Sequence, residues 1–377
     1  MKITKLTTYS VHTTQFRNFS FVRVDTDEGI HGVGELFCVG ADVAVQEMVK
    51  YVSEWVVGMD PLDRERIQKR IFNYSRFPGG SVLYTAASAI DLALWDIAGK
   101  VAGLPVYKLL GAVRDKVPVY CHARGKDSKE TLENVMPKLE KYGYKAFKVG
   151  VRSLGYYPYG KAEKELDEMF DGLRTALGDD MEIGIDMQSK IYEPFEGKRV
   201  CNLLEPYRPF FVEEPIRSDN LENWAEMAEG VNVPLATGEE IFEPWAWEKL
   251  ISLHAADILQ PDILLAGGFT GMRKIAAMAE PSFRKLSPHN PLSTLANCIN
   301  VHFCMCTYNT TFLENEPREE GMDADLVTDV LKVKDGFIAP NDKPGWGMDL
   351  NYEFLEEHPP IVWSRVNLNS PSAYDMD

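Results

Sequence analysis

The stretch RPFFVEEPIRSDN, residues 208–220, places two acids at the end of an apolar strand. The bulky residues 210–212 lead directly into Glu213 and Glu214, and Pro215 ends the run. A short continuous apolar run bounded by a turn residue is typical of a strand buried on both faces, as in a parallel sheet. Such a strand is a poor environment for carboxylates, so acids at its end need a specific partner.

From residue 117 the sequence alternates between short apolar strands and amphipathic helices. The strand candidates are VPVYCH, AFKVG, EIGIDM, PFFVEEP, PLATGEE, ADILQPD, LSPH and TFLENE. Helical patterns such as KETLENVMPKLEKYG and TGMRKIAAMAE lie between them. Eight β-α repeats within about 200 residues predict an α/β fold built on a TIM-like (β/α)8 barrel.

The segments on either side of this repeat differ from it. Residues 1–116 show three strand patterns and then helical patterns over about 41–56, 63–75 and 82–103. This order predicts a separate α+β domain. After residue 320 the chain is rich in turn residues, and we expect it to fold back on that domain or on the barrel rim. The predicted segments are therefore 1–116, 117–320 for the barrel that carries the active site, and 321–377.

Charge and composition exclude several classes of partner. The formal net charge is −17 and no basic block occurs, which argues against nucleic-acid and anionic-membrane binding. No run approaches the ~18 apolar residues of a membrane span, and the polar, alternating start predicts a strand, not a signal peptide. The six cysteines are scattered, as in a reduced cytoplasmic protein. The negative net charge does not exclude a small anionic substrate, because a bound cation can reverse the sign of the electric field locally.

Ionisable residues end six successive predicted strands at a nearly constant spacing. The spacing is 23 to 27 residues, about one β-α unit, along the series Asp186, Glu213, Glu239, Asp262, His289 and Glu314. Active sites of such barrels lie at the carboxyl ends of the strands. We therefore expect these six side chains at one height around a single mouth.

The three carboxylates on predicted strands three to five would repel one another without a cation between them. Carboxylate ligands suit a hard divalent ion, Mg²⁺ first, which keeps positions open for water and substrate. The alternative is that these acids are solvated at loop starts, the usual state of any single one. Strand alternation lets one acid of each pair point inward but does not say which acid of Glu213–Glu214 or of Glu239–Glu240 it is.

Motifs along almost the whole chain resemble the enolase superfamily, in its mandelate racemase branch. They include VRVDTDEGIHGVGE, AASAIDLALWDIAGKVAGLPVYKLLG, GYKAFKVG, GIDMQ, FVEEP, ATGEE, ILQPDILLAGGFTGMRKIA, SPHNPL, FLENE and GFIAPNDKPGWG. Within that branch the chain is most similar to acid-sugar dehydratases of the galactonate-dehydratase type. The resemblance implies a modified barrel closed by an α+β capping domain, formed by the N-terminal third and the C-terminal segment.

The same resemblance implies which residues bind the metal. In the family pattern the first acid of each adjacent pair is the ligand, so we expect Asp186, Glu213 and Glu239 to hold Mg²⁺. Asp262 and His289 match the family's catalytic dyad. An aspartate on one imidazole nitrogen fixes the tautomer and raises the basicity of the other, so His289 becomes a general base for a carbon acid.

Two further residues are expected to stabilise the product of proton removal. A proton next to a carboxylate is weakly acidic, and its loss requires stabilisation of the resulting enediolate. Lys148, in AFKVG, supplies a cation there. Glu314 occupies the family position that hydrogen-bonds the substrate carboxylate. The implied reaction is dehydration of an acid sugar to a 2-keto-3-deoxy acid.

The chain departs from the family pattern at two positions. Racemases of the superfamily carry Lys-x-Lys on this strand, but here Gly150 replaces the second lysine, which disfavours two-base racemisation. Several galactonate-type dehydratases carry a histidine as acid where this chain has Gln188, and an amide does not deliver a proton at neutral pH. Either His289 returns its own proton, or another acid serves, or the reaction is not the standard dehydration. The candidates for another acid are Lys190, His122 and Tyr157.

The remaining predictions concern substrate and assembly. The residues expected to bind the sugar acid are Gln188, Arg17, Arg76, His122 and Tyr157. Cycloisomerisation or epimerisation of a lactone or anhydro sugar acid is the alternative activity, and a non-catalytic binding barrel is the alternative class. Family members are often oligomers, so we expect a homo-oligomer that binds a small-molecule acid sugar.

Overall fold

The computed structural model of the protein describes residues 1–13, 18–37, 41–74, 79–151 and 159–361. It begins with an antiparallel sheet of order β1-β2-β3, whose strands are β1 (Ile3–His12), β2 (Asn18–Thr26) and β3 (His31–Leu36). The second turn contains Gly29 with φ of +78°, a conformation that glycine adopts without strain. The three strands predicted from sequence are therefore present.

Four helices follow the sheet. They are α1 (Asp42–Val56), α2 (Arg64–Tyr74), α3 (Gly80–Ala102) and α4 (Val106–Leu110). Helix α3 lies directly on β3, since a Cβ on Gly32 or Gly34 would collide with the carbonyl oxygen of Ala93 or Ala89. By length and composition α3 is also the one helix of the described ranges that could cross a membrane, but 94% of its apolar window is buried inside the protein.

The barrel consists of parallel strands joined by helices. Its strands are β4 (Val117–Ala123), β5 (Ala146–Gly150), β6 (Glu182–Asp186), β7 (Val212–Glu213), β8 (Leu235–Thr237), β9 (Ile258–Leu259), β10 (Lys285–Leu286) and β11 (Leu313–Glu314). The helices between them are α5 (Ser128–Tyr142), α6 (Tyr159–Leu177), α7 (Pro194–Leu203), α8 (Leu221–Ala228), α9 (Pro244–Ser252), α10 (Gly268–Ala279) and α11 (Thr294–Met305). Neighbours pair in the order β10-β9-β8-β7-β6-β5-β4-β11, and a parallel bridge between Leu286 and Thr310 closes the ring.

The last unit of the predicted repeat is short. In the described chain the eighth barrel strand, β11, is followed by the four-residue helix α12 (Met322–Asp325). Helix α3 of the N-terminal domain packs against α10. There the Trp95 indole N–H donates to the Thr270 hydroxyl at 2.9 Å. The barrel is thus a modified one, as its fold class predicted.

The C-terminal segment contacts both the N-terminal domain and the barrel. Strand β12 (Phe337–Ile338) pairs antiparallel with the start of β4. Farther on, Trp346 is fully buried, and its indole N–H donates to the backbone oxygen of Val33 at 3.1 Å. Helix α13 (Tyr352–Glu357) follows. The boundaries 116/117 and 320/321 stay predictions.

An apolar cluster lies among the barrel strands. It comprises the buried residues Tyr120, Ala146, Phe211, Ala236 and Ile258. Phe211 belongs to the opening stretch, and alternation puts Glu213, two residues on, on the same side of the strand, nearer its carboxyl end. The strand β7 is only two residues long, yet backbone hydrogen bonds extend its pairing from residue 210 to residue 214.

Two buried carboxylates of the N-terminal domain bind the amino ends of barrel helices. Glu35 on β3 accepts hydrogen bonds from the backbone N–H of Ser293 and of Ala296, at 3.1 and 3.0 Å, where α11 begins. Asp91 on α3 accepts from the backbone N–H and the hydroxyl of Thr270, at 2.9 and 2.6 Å, in the first turn of α10. Helix N-termini have free amide donors and favour negative charge. These contacts fix the N-terminal domain to the barrel.

Replacing Glu35 is expected to reduce the pH dependence of stability. Burial raises the pKa of Glu35 to about 7, so the folded protein holds this proton more tightly than the unfolded chain does. Between the unfolded pKa and pH 7 the free energy of unfolding therefore falls as pH rises, by up to ~1.4 kcal/mol per pH unit. Glu35→Gln should remove the part of this slope that Glu35 contributes. The measurement is the free energy of unfolding in urea at pH 5, 6, 7 and 8.

The exposed carboxylate of Glu47 provides the matched control. Glu47→Gln should keep the wild-type slope. A Glu35→Gln protein with the wild-type slope would contradict the assignment of this proton to Glu35.

Candidate active site

Each of the eight barrel strands carries an ionisable side chain at or just beyond its carboxyl end. In strand order these are His122, Lys148, Asp186, Glu213, Glu239, Asp262, His289 and Glu314. Strand register brings several into neighbouring positions: His122 pairs with Lys148, Asp186 with Glu213, and Asp262 with His289. The six residues predicted from the strand spacing therefore surround one mouth.

Lys148 is the positive centre of this group. Its Nζ atom lies 2.6 Å from Glu213 Oε1, 3.1 Å from Glu314 Oε1 and 3.5 Å from Asp186 Oδ2, and its side chain is only 5% exposed. Burial alone lowers the pKa of Lys148, but the carboxylates of Glu213 and Glu314 outweigh it and hold this pKa well above the usual value. These contacts favour the charged form of Lys148.

Glu213 and Glu214 point to different partners. Glu213 meets Lys148 with one oxygen and accepts from the Gln260 side-chain amide at 2.5 Å with the other. Burial raises the pKa of Glu213 to about 8, Lys148 opposes the rise, and Asp186 adds to it. Glu214 instead accepts from the hydroxyls of Ser189 and Thr237, at 2.9 and 3.0 Å. Of the two acids, Glu213 is the one that meets Lys148.

His289 forms a pair with Asp262 and reaches towards Glu239. Its Nδ1 lies 2.8 Å from Asp262 Oδ2, and its Nε2 lies 3.3 Å from Glu239 Oε2. Asp262 is itself held by the backbone N–H of Leu264 at 2.7 Å. Burial lowers the pKa of His289, but Glu239 and Asp262 outweigh it and raise the pKa to about 10. With Nδ1 held, Nε2 is the nitrogen that can exchange a proton with a ligand.

Glu314 lies between the Lys148 ammonium and the His122 imidazole. Its Oε1 is 2.5 Å from His122 Nε2 and 3.1 Å from Lys148 Nζ, and its Oε2 accepts from the Asn290 backbone N–H at 2.6 Å. Burial raises the pKa of Glu314, but Lys148 and His122 outweigh it and hold this pKa well below its usual range. Glu314 is therefore an ionised carboxylate within the mouth.

The predicted ligands Asp186, Glu213 and Glu239 fit a hard divalent cation in residue type. They follow three adjacent strands, and the charges of Asp186 and Glu239 both raise the pKa of Glu213. Across the described ranges, no three Asp, Glu, His or Cys side chains already surround one point as metal ligands do. Lys148 and His289 supply the positive charge beside these acids.

The turn after β6 has an unusual backbone. Gln188 and Ser189 have φ of +51° and +55°, and Glu214 on the next strand has φ of +41°. Left-handed backbone at non-glycine residues is strained and is retained where the surroundings hold it. Here the Ser189 backbone N–H donates to the Glu214 backbone oxygen at 2.7 Å, and the Gln188 backbone N–H donates to Asp186 Oδ1 at 2.9 Å. The turn thereby orients Asp186.

Sequence reasoning missed three residues that hold this network. They are Glu214, Gln260 and Asn290, whose contacts with Ser189, Glu213 and Glu314 are given above. The spacing contained a signal for Gln260, which precedes Asp262 by two residues and so shares its face of the strand.

The structure describes only part of the predicted substrate-binding set. His122 lies in the mouth, and the side chain of Gln188 is exposed beside it. The Lys190 ammonium donates to the backbone oxygen of Val151. Arg17, Arg76 and Tyr157 lie outside the described residues.

Comparison with known proteins identifies two matching family models. Residues 2–111 match the mandelate racemase / muconate lactonizing enzyme N-terminal domain, and residues 130–354 match the enolase C-terminal domain-like family. Together these models span most of the chain.

Individual relatives match along nearly the full length. The chain is 34% identical to the D-galactonate dehydratase of Ralstonia pickettii over 95% of this chain and 94% of that protein. The corresponding protein of Pectobacterium atrosepticum is 33% identical over the same shares. An enolase from Agrobacterium radiobacter, solved with Na and L-malate bound, superposes with a TM-score of 0.91 at 33% identity over 97% of both chains. The chain therefore belongs to the mandelate racemase and muconate lactonizing enzyme family of the enolase superfamily.

Proposed function

We propose that this enzyme is a Mg²⁺-dependent acid-sugar dehydratase. It removes the proton next to the carboxylate of a sugar acid and eliminates water from the neighbouring carbon, giving a 2-keto-3-deoxy acid. The observation that carries the proposal is the His289–Asp262 contact of 2.8 Å beside a cluster of carboxylates. The full-length similarity to D-galactonate dehydratases supports dehydration, and hence a lyase.

His289 is the general base in this proposal. Asp262 holds Nδ1, so Nε2 faces the mouth and accepts the proton from the substrate carbon. The carboxylates that raise the pKa of His289 include Glu239, a predicted metal ligand. A cation at Glu239 would offset that negative charge and favour the neutral imidazole, which is the form that a base requires.

The charge of the enediolate is stabilised by Lys148 and would be stabilised further by a bound metal. Mg²⁺, held by Asp186, Glu213 and Glu239, would supply Lewis-acid stabilisation of the substrate carboxylate. The buried Lys148 ammonium adds a fixed positive charge that needs no rearrangement during the reaction. Glu314 occupies the family position that hydrogen-bonds the substrate carboxylate, as the resemblance implies.

Gln188 favours a second candidate activity. The neutral amide stands where galactonate-type dehydratases carry an acid histidine, and its side chain is exposed. A cycloisomerase expels a ring or lactone oxygen as its leaving group. It therefore does not need an acid that protonates a departing hydroxide. Product NMR of a library of mono- and diacid sugars separates the two activities, because dehydration removes a hydroxyl and ring opening does not.

The homo-oligomeric state and the cytoplasmic location stay predictions.

Loss of the base should abolish proton exchange as well as turnover. His289→Asn is expected to slow both by about 10²–10⁴-fold, because no other group takes the α-proton. The measurement is deuterium uptake at the α-carbon in D2O, followed by NMR with D-galactonate and the acid-sugar library. His254→Asn, at an exposed histidine with φ of +53°, is the control and should keep both rates. Unchanged exchange in His289→Asn would refute the base assignment.

Metal binding should depend on Glu239 and not on its neighbour. Saturating Mg²⁺ is expected to raise the melting temperature of the wild type, since a ligand at 100 times its Kd stabilises by about 2.7 kcal/mol. Glu239→Gln should lose most of this shift. Glu240→Gln, at the exposed neighbour whose carboxylate accepts from Ser218, should retain it. Activity should also disappear in EDTA and return with Mg²⁺. Equal shifts in both variants would contradict the ligand assignment.

A further inference from the structure

We propose that His122 is the general acid that protonates the departing hydroxide. This inference rests on the dehydration proposed above and names the acid that Gln188 does not provide. His122 belongs to β4, the strand on the far side of β11 from His289. Its side chain is 23% exposed, so it is accessible from the mouth although it contacts buried groups.

The contact with Glu314 holds the His122 ring in the mouth. Its Nε2 lies 2.5 Å from Glu314 Oε1, and Lys148 lies 3.1 Å from the same oxygen. A carboxylate on one imidazole nitrogen fixes the orientation and the tautomer of the ring. The backbone N–H of His122 also faces Glu316 Oε2 at 3.4 Å, and the other oxygen of Glu316 is paired with the Lys138 ammonium.

The two histidines of the mouth differ in their partners. His289 is held by Asp262 on Nδ1 and has Nε2 directed at Glu239, among the predicted metal ligands. His122 faces Glu314 alone of the mouth carboxylates described above. The two imidazoles therefore have separate carboxylate partners on opposite sides of β11, so one can serve as the base and the other as the acid.

Other groups near the mouth fit this role less well. Gln188 cannot release a proton at neutral pH. The Lys190 ammonium is bonded to the Val151 backbone oxygen, and the Lys148 ammonium is bonded to Glu213 and Glu314. Tyr157 lies outside the described residues.

The step balances without an added reactant. His289 Nε2 takes the α-proton, the electron pair of that C–H bond forms the enediolate, and the enediolate collapses as the β-carbon–oxygen bond breaks. The leaving hydroxide takes the His122 proton and departs as water. The enol product tautomerises to the 2-keto-3-deoxy acid. Solvent then restores the proton on His122 and removes the one on His289.

The test separates proton removal from departure of the hydroxide. With D-galactonate, His122→Gln should lower the dehydration rate by about 10²–10⁴-fold, while α-proton exchange in D2O stays within about threefold of the wild type. A 3-deoxy-3-fluoro analogue of the same acid loses fluoride, which needs no protonation. Its elimination by His122→Gln should therefore stay close to the wild-type rate. The control is His254→Gln, which should match the wild type in all three assays.

Two results would overturn the assignment of His122, and a third would overturn the dehydration on which it rests. Dehydration at the wild-type rate in His122→Gln would place the acid elsewhere. A parallel fall of exchange and of fluoride elimination would assign His122 a structural role only. A wild-type enzyme that exchanges the α-proton and yet releases no water from any library member would refute the proposed function itself. That last failure is recognised in the wild type, before any variant is compared.

Discussion

The active site depends on the attraction between Lys148 and the acids around it. Burying several carboxylates in one mouth is unfavourable unless positive groups lie within bonding distance. Lys148 contacts Glu213, Glu314 and Asp186, each within 3.5 Å. Removing one partner of a buried pair typically costs 3–5 kcal/mol, because the other charge stays buried without compensation. The properties of each acid therefore follow from its neighbours, with the pKa of Glu213 raised and that of Glu314 lowered.

Much of the mouth could be predicted from spacing because a barrel repeats one unit. A β-α unit of nearly constant length places each strand end at the same height, so the series from Asp186 to Glu314 was visible in the sequence. Alternation did not choose between Glu213 and Glu214. The left-handed backbone of Glu214 and its bonds to Ser189 and Thr237 depend on contacts between strands, which spacing does not encode.

The less predictable parts of the fold rely on residues far apart in the chain. Periodicity predicted a helix after every strand, but α3 of the N-terminal domain packs against α10, and β12 pairs with β4. Trp346 donates to Val33 across more than 300 positions of sequence. The hydrophobic periodicity of a segment indicates which face of the helix or strand is apolar. It does not indicate which other element packs on this face.

Glu35 and Asp91 have a consequence for recombining this protein with its relatives. Specificity engineering often grafts the amino-terminal module of one enzyme onto the body of another. In this chain such a chimera must bring an acid to the amino end of α11 and another to that of α10. A graft without them would leave unmet amide donors directly downstream of His289 and Asp262. A relative that is to supply the amino-terminal module can therefore be chosen by whether it carries an acid at these two positions, before any loop is redesigned.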